Sequence, residues 1–302
     1  MNIIFMGTPS YAEAILLRLL QTEGMNVVAV YTQPDKPVGR KKVMTPPVVK
    51  VLAQEHNIDV YQPTRLRDED VVEQLLEIAC DYIVVAAYGQ ILPRAILDHA
   101  PCINLHASIL PQYRGASPIQ QTLLNDDKET GVTAMLMEEG LDTGDILKIE
   151  RVPVSKTMML EELFELLTQT ASGLTVDVLE NFESLTPQKQ NEAEATHCKK
   201  ITKKDGEIAF EDAHTIFNKY RAFTPWPGIY LASGMKLKKI ELLDKCSLYE
   251  AGKILEIHED SIVVGCTKGA LKIYRLQPPS KKEMSVIDYI NGKRLSVEDS
   301  LL

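Results

Sequence analysis

The sequence has few cysteines, and their spacing excludes a disulfide framework and a zinc site. The five cysteines are scattered and form no Cys-x-x-Cys pair; they are Cys80, Cys102, Cys198, Cys246 and Cys266. An odd number of scattered thiols is typical of a reducing compartment rather than of a secreted protein. We therefore expect free thiols, no bound metal and a cytoplasmic location.

Long apolar runs are also missing. No stretch approaches the roughly 18 uninterrupted apolar residues that a membrane-spanning helix needs. The first residues, MNIIFMGTPS, carry no basic side chain, and their apolar run is too short for a secretory signal. We therefore expect no association with a membrane.

The common glycine motifs for nucleotides are absent as well. The first predicted strand ends at Gly7, and Pro9 follows where a Gly-x-Gly-x-x-Gly loop would have further glycines. Neither a Gly-Lys-Ser/Thr phosphate loop nor a His-Glu-x-x-His zinc motif occurs. The turn at Gly7 is either one wall of a ligand site or a plain connection between strand and helix.

The charge is unevenly distributed along the chain. The 302 residues, enough for two domains, carry 33 Lys and Arg against 42 Asp and Glu, a formal net charge of −9. Residues 1–198 hold 15 basic and 28 acidic side chains, and residues 199–302 hold 18 basic and 14 acidic ones. The first part is therefore net −13 and the second net +4. The acidic total argues against a protein that coats nucleic acid, but it leaves room for a local basic surface.

Short apolar runs alternate with helical patterns through the first part of the chain. The predicted strands are Asn2–Met6, Asn26–Thr32, Tyr82–Ala86, Cys102–Leu105 and Val132–Met137, and predicted helices include Val48–His56, Val71–Ile78 and Ser117–Leu123. Ser10 and Glu13 form a capping-box pattern at the start of a further helix. Because apolar strands that alternate with helices are typical of parallel sheets covered on both faces, residues 1–185 are predicted to form a doubly wound, mostly parallel α/β domain.

The pattern changes after residue 185. Residues 186–204 are polar and are predicted to be a linker. Short predicted strands follow at Ile229–Ala232, Lys236–Leu242, Lys253–Ile257, Ile262–Cys266 and Leu271–Leu276. Their regular spacing favours a small β-barrel domain over residues 205–302.

Asn104, His106 and Asp142 are the candidate catalytic residues. Asn104 and His106 lie two apart at the end of a predicted strand, so they share one face of it. Asp142 lies in the glycine-bracketed segment GLDTGD, a loop that can bring it near His106. Amide and imidazole donors stabilise an oxyanion and a carboxylate takes part in proton transfer, which favours a transfer reaction whose nucleophile belongs to the substrate. On the pattern alone, a core histidine and a turn-forming aspartate explain the same residues.

The segment NLHASILPQYRGASPI, which contains Asn104 and His106, closely resembles the folate-binding and catalytic motif of the 10-formyltetrahydrofolate-dependent formyltransferases. GLDTGDI resembles the aspartate loop of that family, and MGTPSYA, TQPDKPVGRKK, AAYGQILP and RAFTPWPG extend the resemblance over nearly the whole chain. The resemblance implies that Asn104, His106 and Asp142 are catalytic and that the folate site is lined by Ser108, Ile109, Leu110 and Pro111. It also implies a Rossmann-like first domain, a C-terminal OB-like β-barrel, 10-formyltetrahydrofolate as the formyl donor, and initiator methionyl-tRNA of bacterial translation initiation as the acceptor.

Two sets of basic residues are candidates for contact with tRNA. The segment Gln33–Pro47 is predicted to be a loop, because its prolines exclude a helix and a central strand; its basic residues are Lys36, Arg40, Lys41 and Lys42. The resemblance implies that this loop engages the acceptor stem. The second set lies in the basic part of the chain, where charges suit contact with phosphates; it includes Lys203, Lys204, Lys281 and Lys282. On the pattern alone, a solvated charged surface explains both sets.

Two other functions remain open from the residues. The first is formyl transfer to a small-molecule amine, against which the basic second part of the chain argues. The second is a non-catalytic RNA-binding protein, against which the set of Asn104, His106 and Asp142 argues.

Trp226, the only tryptophan, lies between two prolines and is predicted to be a packing anchor rather than a base-stacking surface. We expect a monomeric enzyme.

Overall fold

The computed structural model describes residues 1–39 and 41–301, which form two compact units. The first unit comprises Met1–Pro118, Glu129–Val154 and Leu163–Lys199. The second comprises Ile119–Lys128, Ser155–Glu162 and the chain from Lys200 onward. Residues 186–199 of the predicted linker thus cluster with the first unit, and the second unit takes in two short earlier segments. The predicted domain bounds stay a prediction.

The secondary structure alternates between strands and helices in the first part of the chain and becomes strand-rich in the second. The strands are β1 Asn2–Gly7, β2 Asn26–Tyr31, β3 Lys36–Val38, β4 Val43–Thr45, β5 Val60–Tyr61, β6 Tyr82–Ala86, β7 Cys102–His106, β8 Arg114–Gly115, β9 Glu129–Leu136, β10 Ile146–Pro153, β11 His197–Cys198, β12 Glu207–Ile208, β13 Ile229–Leu231, β14 Lys236–Asp244, β15 Ile254–Ile257, β16 Ile262–Gly265, β17 Ala270–Gln277 and β18 Met284–Ser285. The α-helices are α1 Ser10–Leu20, α2 Val48–Glu55, α3 Glu69–Leu76, α4 Arg94–Leu97, α5 Pro118–Leu124, α6 Leu160–Asn181, α7 Ala213–Phe223 and α8 Val286–Lys293. Short 3-10 helices lie at Phe182–Ser184, Glu192–Glu194 and Lys203–Gly206. Within the described ranges, no helix is long and apolar enough to span a membrane.

A seven-stranded sheet forms the centre of the first unit. Its order is β10-β9-β7-β6-β1-β2-β5, in which β5, β2, β1, β6 and β7 run parallel. Ile3–Met6 of β1 and every residue of β7 are buried, as is typical of strands covered on both faces. The predicted doubly wound, mostly parallel α/β fold is confirmed.

The predicted strand at Val132–Met137 corresponds to β9, which runs antiparallel to β7. His106 lies opposite Thr133, and Ile103 lies opposite Leu136. β9 therefore ends beside the start of β7, and the loop from β9 to β10 has to turn back to reach the carboxyl end of β7. That end, together with the ends of β1 at Gly7 and of β6 at Ala86, forms the edge where ligands of such sheets bind.

The start of α1 differs from the predicted capping box. The helix begins at Ser10 itself, and Pro9 is the N-cap, with no hydrogen bond from a capping side chain. The carbonyl of Pro9 accepts from the N–H groups of Ala12 and Glu13. Because Ser10 is already helical, its hydroxyl is one position too late to cap the helix, so the predicted cap is wrong.

The proline-rich segment Gln33–Pro47 also differs from the prediction, because part of it is a β-hairpin. β3 pairs antiparallel with β4, with Lys36 opposite Thr45 and Val38 opposite Val43. Pro37 is accommodated because a two-stranded ribbon leaves one side of each strand free of partners. Arg40 lies outside the described residues.

The second unit is built on a sheet of order β12-β13-β14-β17-β16-β15, with β18 paired to β17. Strands β14, β17, β16 and β15 pair antiparallel, and α7 packs against β14. Leu237 and Ile240 of β14 are buried, whereas Lys238 and Lys239 are exposed. The predicted β-rich second domain is confirmed, and its closure into an OB-like barrel stays a prediction.

Candidate active site

Asn104, His106 and Asp142 lie together at the carboxyl end of β7. Asn104 Nδ2 donates a hydrogen bond to Asp142 Oδ1 at 3.3 Å, and His106 Nδ1 lies 3.6 Å from the same oxygen. Asn104 and His106 are 9% and 7% exposed, and the side chain of Asp142 is 12% exposed. The structure thus brings Asn104 and His106 to the largely buried carboxylate of Asp142. Hydrogen bonds to a carboxylate are charge-assisted and strong in such a place. Their catalytic roles stay a prediction.

The second oxygen of Asp142 is held by the backbone of Gly115. The Gly115 N–H donates to Asp142 Oδ2 at 2.8 Å. Gly115 has a φ of +115°, and a Cβ at this position would collide with the carbonyl oxygen of Cys198. The site therefore requires glycine here. Asp142 itself has a φ of +56°, in the left-handed region that aspartate enters more readily than most residues.

His106 is oriented by a backbone carbonyl. Its Nε2 lies 2.9 Å from the oxygen of Tyr113, which can only accept, so Nε2 carries a hydrogen and donates it. Nδ1 then faces Asp142 Oδ1. At 3.6 Å this contact is longer than a hydrogen bond.

The predicted folate-lining residues follow β7, and two of them face inward. Ser108 is fully buried, and its Oγ donates to the carbonyl of Gln112 at 2.6 Å. Leu110 is 2% exposed. Ile109 and Pro111 are half-buried, so they are the accessible residues of this segment. The predicted contacts with folate stay a prediction.

Thr133, on the neighbouring strand β9, holds this segment in place. Its Oγ1 donates to the carbonyl of Ser108 at 2.7 Å and accepts from the N–H of Leu110 at 3.1 Å. A single hydroxyl therefore fixes both sides of the turn that follows His106.

A thiol lies beside the site but is not activated. Cys198 is buried, and its Sγ donates towards the carbonyls of Tyr113 and Arg114. Burial raises the pKa of the Cys198 thiol, which leaves little thiolate at neutral pH. Cys198 is therefore a packing residue.

Sequence reasoning missed Gln190, which lies in the predicted linker. Its side-chain amide donates to the backbone carbonyls of Asp142 and Gly144. Arg114, which is 2% exposed, donates to both Gln190 and Glu192. These hydrogen bonds from the guanidinium lower the pKa of the Glu192 carboxyl. The polar composition of residues 186–204 gave no signal for this role, because the partners of Gln190 are distant in the sequence.

The basic residues predicted to contact tRNA are exposed wherever the structure describes them. Lys36 lies on β3, and Lys41 and Lys42 lie in the turn between β3 and β4. The remaining predicted residues are in the 3-10 helix Lys203–Gly206 and in the connection from β17 to β18; they are Lys203, Lys204, Lys281 and Lys282. Their contact with RNA stays a prediction.

The segment RAFTPWPG contains a packing anchor, but the anchor is not Trp226. Trp226 is 59% exposed, so the predicted packing role of its ring is wrong. Phe223 and Arg221 of the same segment are buried instead, and Arg221 pairs with Asp126 at 2.7 Å.

Both parts of the chain match family models. Residues 1–179 match the model described as formyl transferase, and residues 200–294 match the formyl transferase C-terminal domain. The chain belongs to the formyl transferase family.

Full-length relatives in this formyl transferase family carry a more specific name. The chain is 65% identical over 301 residues to a methionyl-tRNA formyltransferase of Sulfurimonas denitrificans, with 100% of both chains covered. It is 56% identical over 301 residues to a methionyl-tRNA formyltransferase of a Sulfurovum species, with 100% of this chain and 99% of the relative covered.

Solved structures of formyl transferases share the fold. An N-formyltransferase from Helicobacter canadensis in complex with folinic acid and dTDP-3-aminofucose has a TM-score of 0.69 at 18% identity, and the match covers 91% of this chain and 99% of that one. WlaRD, a sugar 3N-formyl transferase, has a TM-score of 0.67 at 19% identity, with 93% and 99% covered. At this identity the likeness concerns the fold and leaves the acceptor of the formyl group undetermined.

Proposed function

We propose that this chain transfers the formyl group of 10-formyltetrahydrofolate to the α-amine of methionine on initiator methionyl-tRNA, which gives N-formylmethionyl-tRNA for translation initiation. The observation that carries the proposal is the convergence of Asn104, His106 and the Gly115 N–H on the carboxylate of Asp142. Two full-length relatives named methionyl-tRNA formyltransferase, at 65% and 56% identity, support the choice of acceptor.

The proposed site supplies donors for an oxyanion. In the reaction the methionine amine attacks the formyl carbon, and negative charge develops on the formyl oxygen. Asn104 Nδ2 carries two hydrogens, so it can keep one on Asp142 Oδ1 and direct the other at this oxygen. His106 is the proposed second donor through Nδ1, because Nε2 is committed to the Tyr113 carbonyl and Nδ1 lies 3.6 Å from Asp142 Oδ1, beyond hydrogen-bond distance.

Asp142 is the proposed proton acceptor. The attacking amine has to be neutral, and its nitrogen has to lose a proton as the amide forms. Each oxygen of Asp142 has one donor at hydrogen-bond distance, Asn104 on Oδ1 and Gly115 on Oδ2, and so retains acceptor capacity. The proton is then relayed to N10 of the departing tetrahydrofolate, so that protons balance over the reaction.

The proposed folate site lies along Ser108–Pro111. Because Ser108 and Leu110 are buried, the folate would contact mainly the half-buried residues Ile109 and Pro111 of this segment. Ile109 and Pro111 make this surface apolar, as is usual for sites that bind small ligands.

The proposed tRNA contacts are electrostatic. The exposed lysines of the β3–β4 hairpin, together with Arg40, are assigned to the acceptor stem, and the second set is assigned to other backbone phosphates; that set is Lys203, Lys204, Lys281 and Lys282. The net charge of +4 over residues 199–302 supports the second assignment. We assign residues 205–302 to a tRNA-binding domain and residues 1–185 to the catalytic domain; residues 186–204 connect them, and Gln190 and β11 of this segment complete the catalytic unit. The function implies a cytoplasmic enzyme, and a monomer is the proposed state.

Formylation of purified methionyl-tRNA tests the proposal. The chain is incubated with 10-formyltetrahydrofolate and either initiator methionyl-tRNA, elongator methionyl-tRNA or a small amine such as dTDP-3-aminofucose. N-formylmethionine released by mild base is expected from the initiator reaction, and little product is expected from the other two. Efficient formylation of the sugar nucleotide without formylation of initiator methionyl-tRNA would replace the proposed acceptor with a small molecule.

A further inference from the structure

The amide of Gln190 bridges two distant parts of the first unit. Its Nε2 donates to the carbonyl oxygens of Asp142 and Gly144, each at 2.8 Å. Its Oε1 accepts from Arg114 Nε at 3.0 Å and from Arg114 Nη2 at 2.9 Å. Both hydrogens and both lone pairs of this amide are therefore used, which is the full capacity of a glutamine side chain.

Arg114 fixes the other end of the bridge. Its side chain is 2% exposed, and its guanidinium also donates to the two carboxylate oxygens of Glu192 at 2.6 and 3.0 Å. The residue after it, Gly115, donates its N–H to Asp142 Oδ2. Strand β8 therefore holds Asp142 twice, through its backbone at the carboxylate and through Gln190 at the main chain.

The loop that carries Asp142 needs such support. Asp142 has a φ of +56° and Gly140 a φ of +155°, both in the left-handed half of conformational space. Leu141, the neighbour of Asp142, is 63% exposed and offers the loop little packing. The side-chain hydrogen bonds from Gln190, together with the backbone bond from the Leu136 N–H to the Asp145 carbonyl, hold this loop in one conformation.

We infer that Gln190 is a positioning residue for the reaction: it holds the backbone of Asp142 so that the carboxylate stays on Asn104, His106 and the Gly115 N–H. The inference rests on the proposed formyl transfer. A shift of about 1 Å in a catalytic group lowers turnover by about 10²-fold. Loss of the two hydrogen bonds from Gln190 is expected to have an effect of this size on kcat, with the KM values for folate and tRNA changed by less than about threefold.

Two substitutions of Gln190 separate positioning from packing. Gln190→Ala removes the whole bridge, whereas Gln190→Glu keeps the length and the acceptor for Arg114 but has no N–H for the carbonyls of Asp142 and Gly144. Both are expected to lower kcat similarly. Gln188→Ala is the matched control, because Gln188 is exposed and its contact with Ile146 uses backbone groups. Wild-type kcat in Gln190→Glu would overturn the inference.

A double substitution tests whether Gln190 acts through Asp142. In an Asp142→Asn background, Gln190→Ala is expected to lower kcat by no more than about threefold further, because residues that act as a unit are not additive. Multiplication of the two separate losses would contradict the inference, since it would indicate an independent effect on the fold.

A third measurement is independent of activity. The Gly115 N–H is donated to Asp142 Oδ2, so its hydrogen exchange in the free protein reports the position of the carboxylate. Exchange at Gly115 is expected to be at least about tenfold faster in both Gln190 variants than in the wild type and in Gln188→Ala. Unchanged exchange would overturn the inference even if the wild-type chain failed to formylate methionyl-tRNA, a failure that would count against the proposed function alone.

Discussion

Replacing Gly115 with alanine is expected to displace the Asp142 carboxylate and thereby to lower turnover. At this position a Cβ would meet the carbonyl oxygen of Cys198, which belongs to the paired strand β11. Strands β8 and β11 have to separate by about 1 Å to restore ordinary contact. The φ of +115° is also unfavourable for alanine and costs about 1–3 kcal/mol of folding free energy.

Displacement of the Asp142 carboxylate in Gly115→Ala is expected to lower the activity. A shift of this size distorts the 2.8 Å hydrogen bond from the Gly115 N–H to Asp142 Oδ2. We expect kcat to fall by about 10²-fold, and the thermal unfolding midpoint to fall by about 2–4 °C for each kcal/mol lost. Steady-state formylation of initiator methionyl-tRNA and a thermal melt monitored by circular dichroism measure the two effects on the same preparation.

Gly173→Ala is the matched control for this substitution. Gly173 is an exposed residue of helix α6, and a Cβ there meets nothing within 4 Å. Alanine is favoured over glycine in a helix by about 1 kcal/mol, so this variant should melt no earlier than the wild type and keep its turnover. Wild-type kcat and melting temperature in Gly115→Ala would refute the role assigned to the Gly115 N–H.

Three further substitutions test other parts of the proposed site. Asn104→Ala should lower kcat by about 10²–10³, the usual effect of losing one oxyanion donor, and steady-state kinetics with a near-wild-type kcat would contradict its role. Asp142→Asn should lower turnover far more than it weakens folate binding, which fluorescence titration of the folate measures; full turnover would exclude Asp142 as the proton acceptor. Lys281→Ala combined with Lys282→Ala should raise the KM for tRNA and reduce the slope of log K against log salt by about 0.9 for each lost phosphate contact, while the KM for folate stays constant; an unchanged salt slope would remove these lysines from the tRNA surface.

The sequence predicts the part of the site that depends on local geometry. Asn104 and His106 share a strand face because side chains alternate along a strand, and this rule needs no knowledge of the rest of the fold. The direction of β9 cannot be predicted in this way, because the residue pattern of a strand is the same in either orientation. The pairing of His106 with Thr133 shows that β9 runs antiparallel to β7. The loop that carries Asp142 therefore has to turn back to reach His106.

The predicted linker shows where composition misleads. Polar residues at 186–204 indicate solvent exposure on average, but Gln190 satisfies its amide on Arg114 and on the Asp142 loop, and β11 pairs with β8. The partners of Gln190 are 46 to 76 residues away, beyond the reach of any local pattern. Dividing the chain at residue 185 would remove Gln190 and β11 from the unit that contains the site.

The predicted packing role of Trp226 rested on how often aromatic residues are buried in general. Aromatic rings are most often buried, which favoured a packing role for the only tryptophan. The ring is 59% exposed, and Phe223 and Arg221 are the buried residues of that segment. The helix α7 places Phe223 and Arg221 on its buried side, whereas Trp226 follows the helix end at Phe223.

The proposed reaction is tested most directly by following an isotope-labelled formyl group from 10-formyltetrahydrofolate to its acceptor. The wild-type chain and Asn104→Ala are incubated with equal amounts of initiator and elongator methionyl-tRNA, and the labelled amine is identified by mass spectrometry. The proposed reaction predicts label on the α-amine of methionine from initiator tRNA, with a rate that falls by about 10²–10³ in the variant. Absence of label on initiator methionyl-tRNA in the wild-type reaction, or an equal rate in the Asn104→Ala variant, would contradict it.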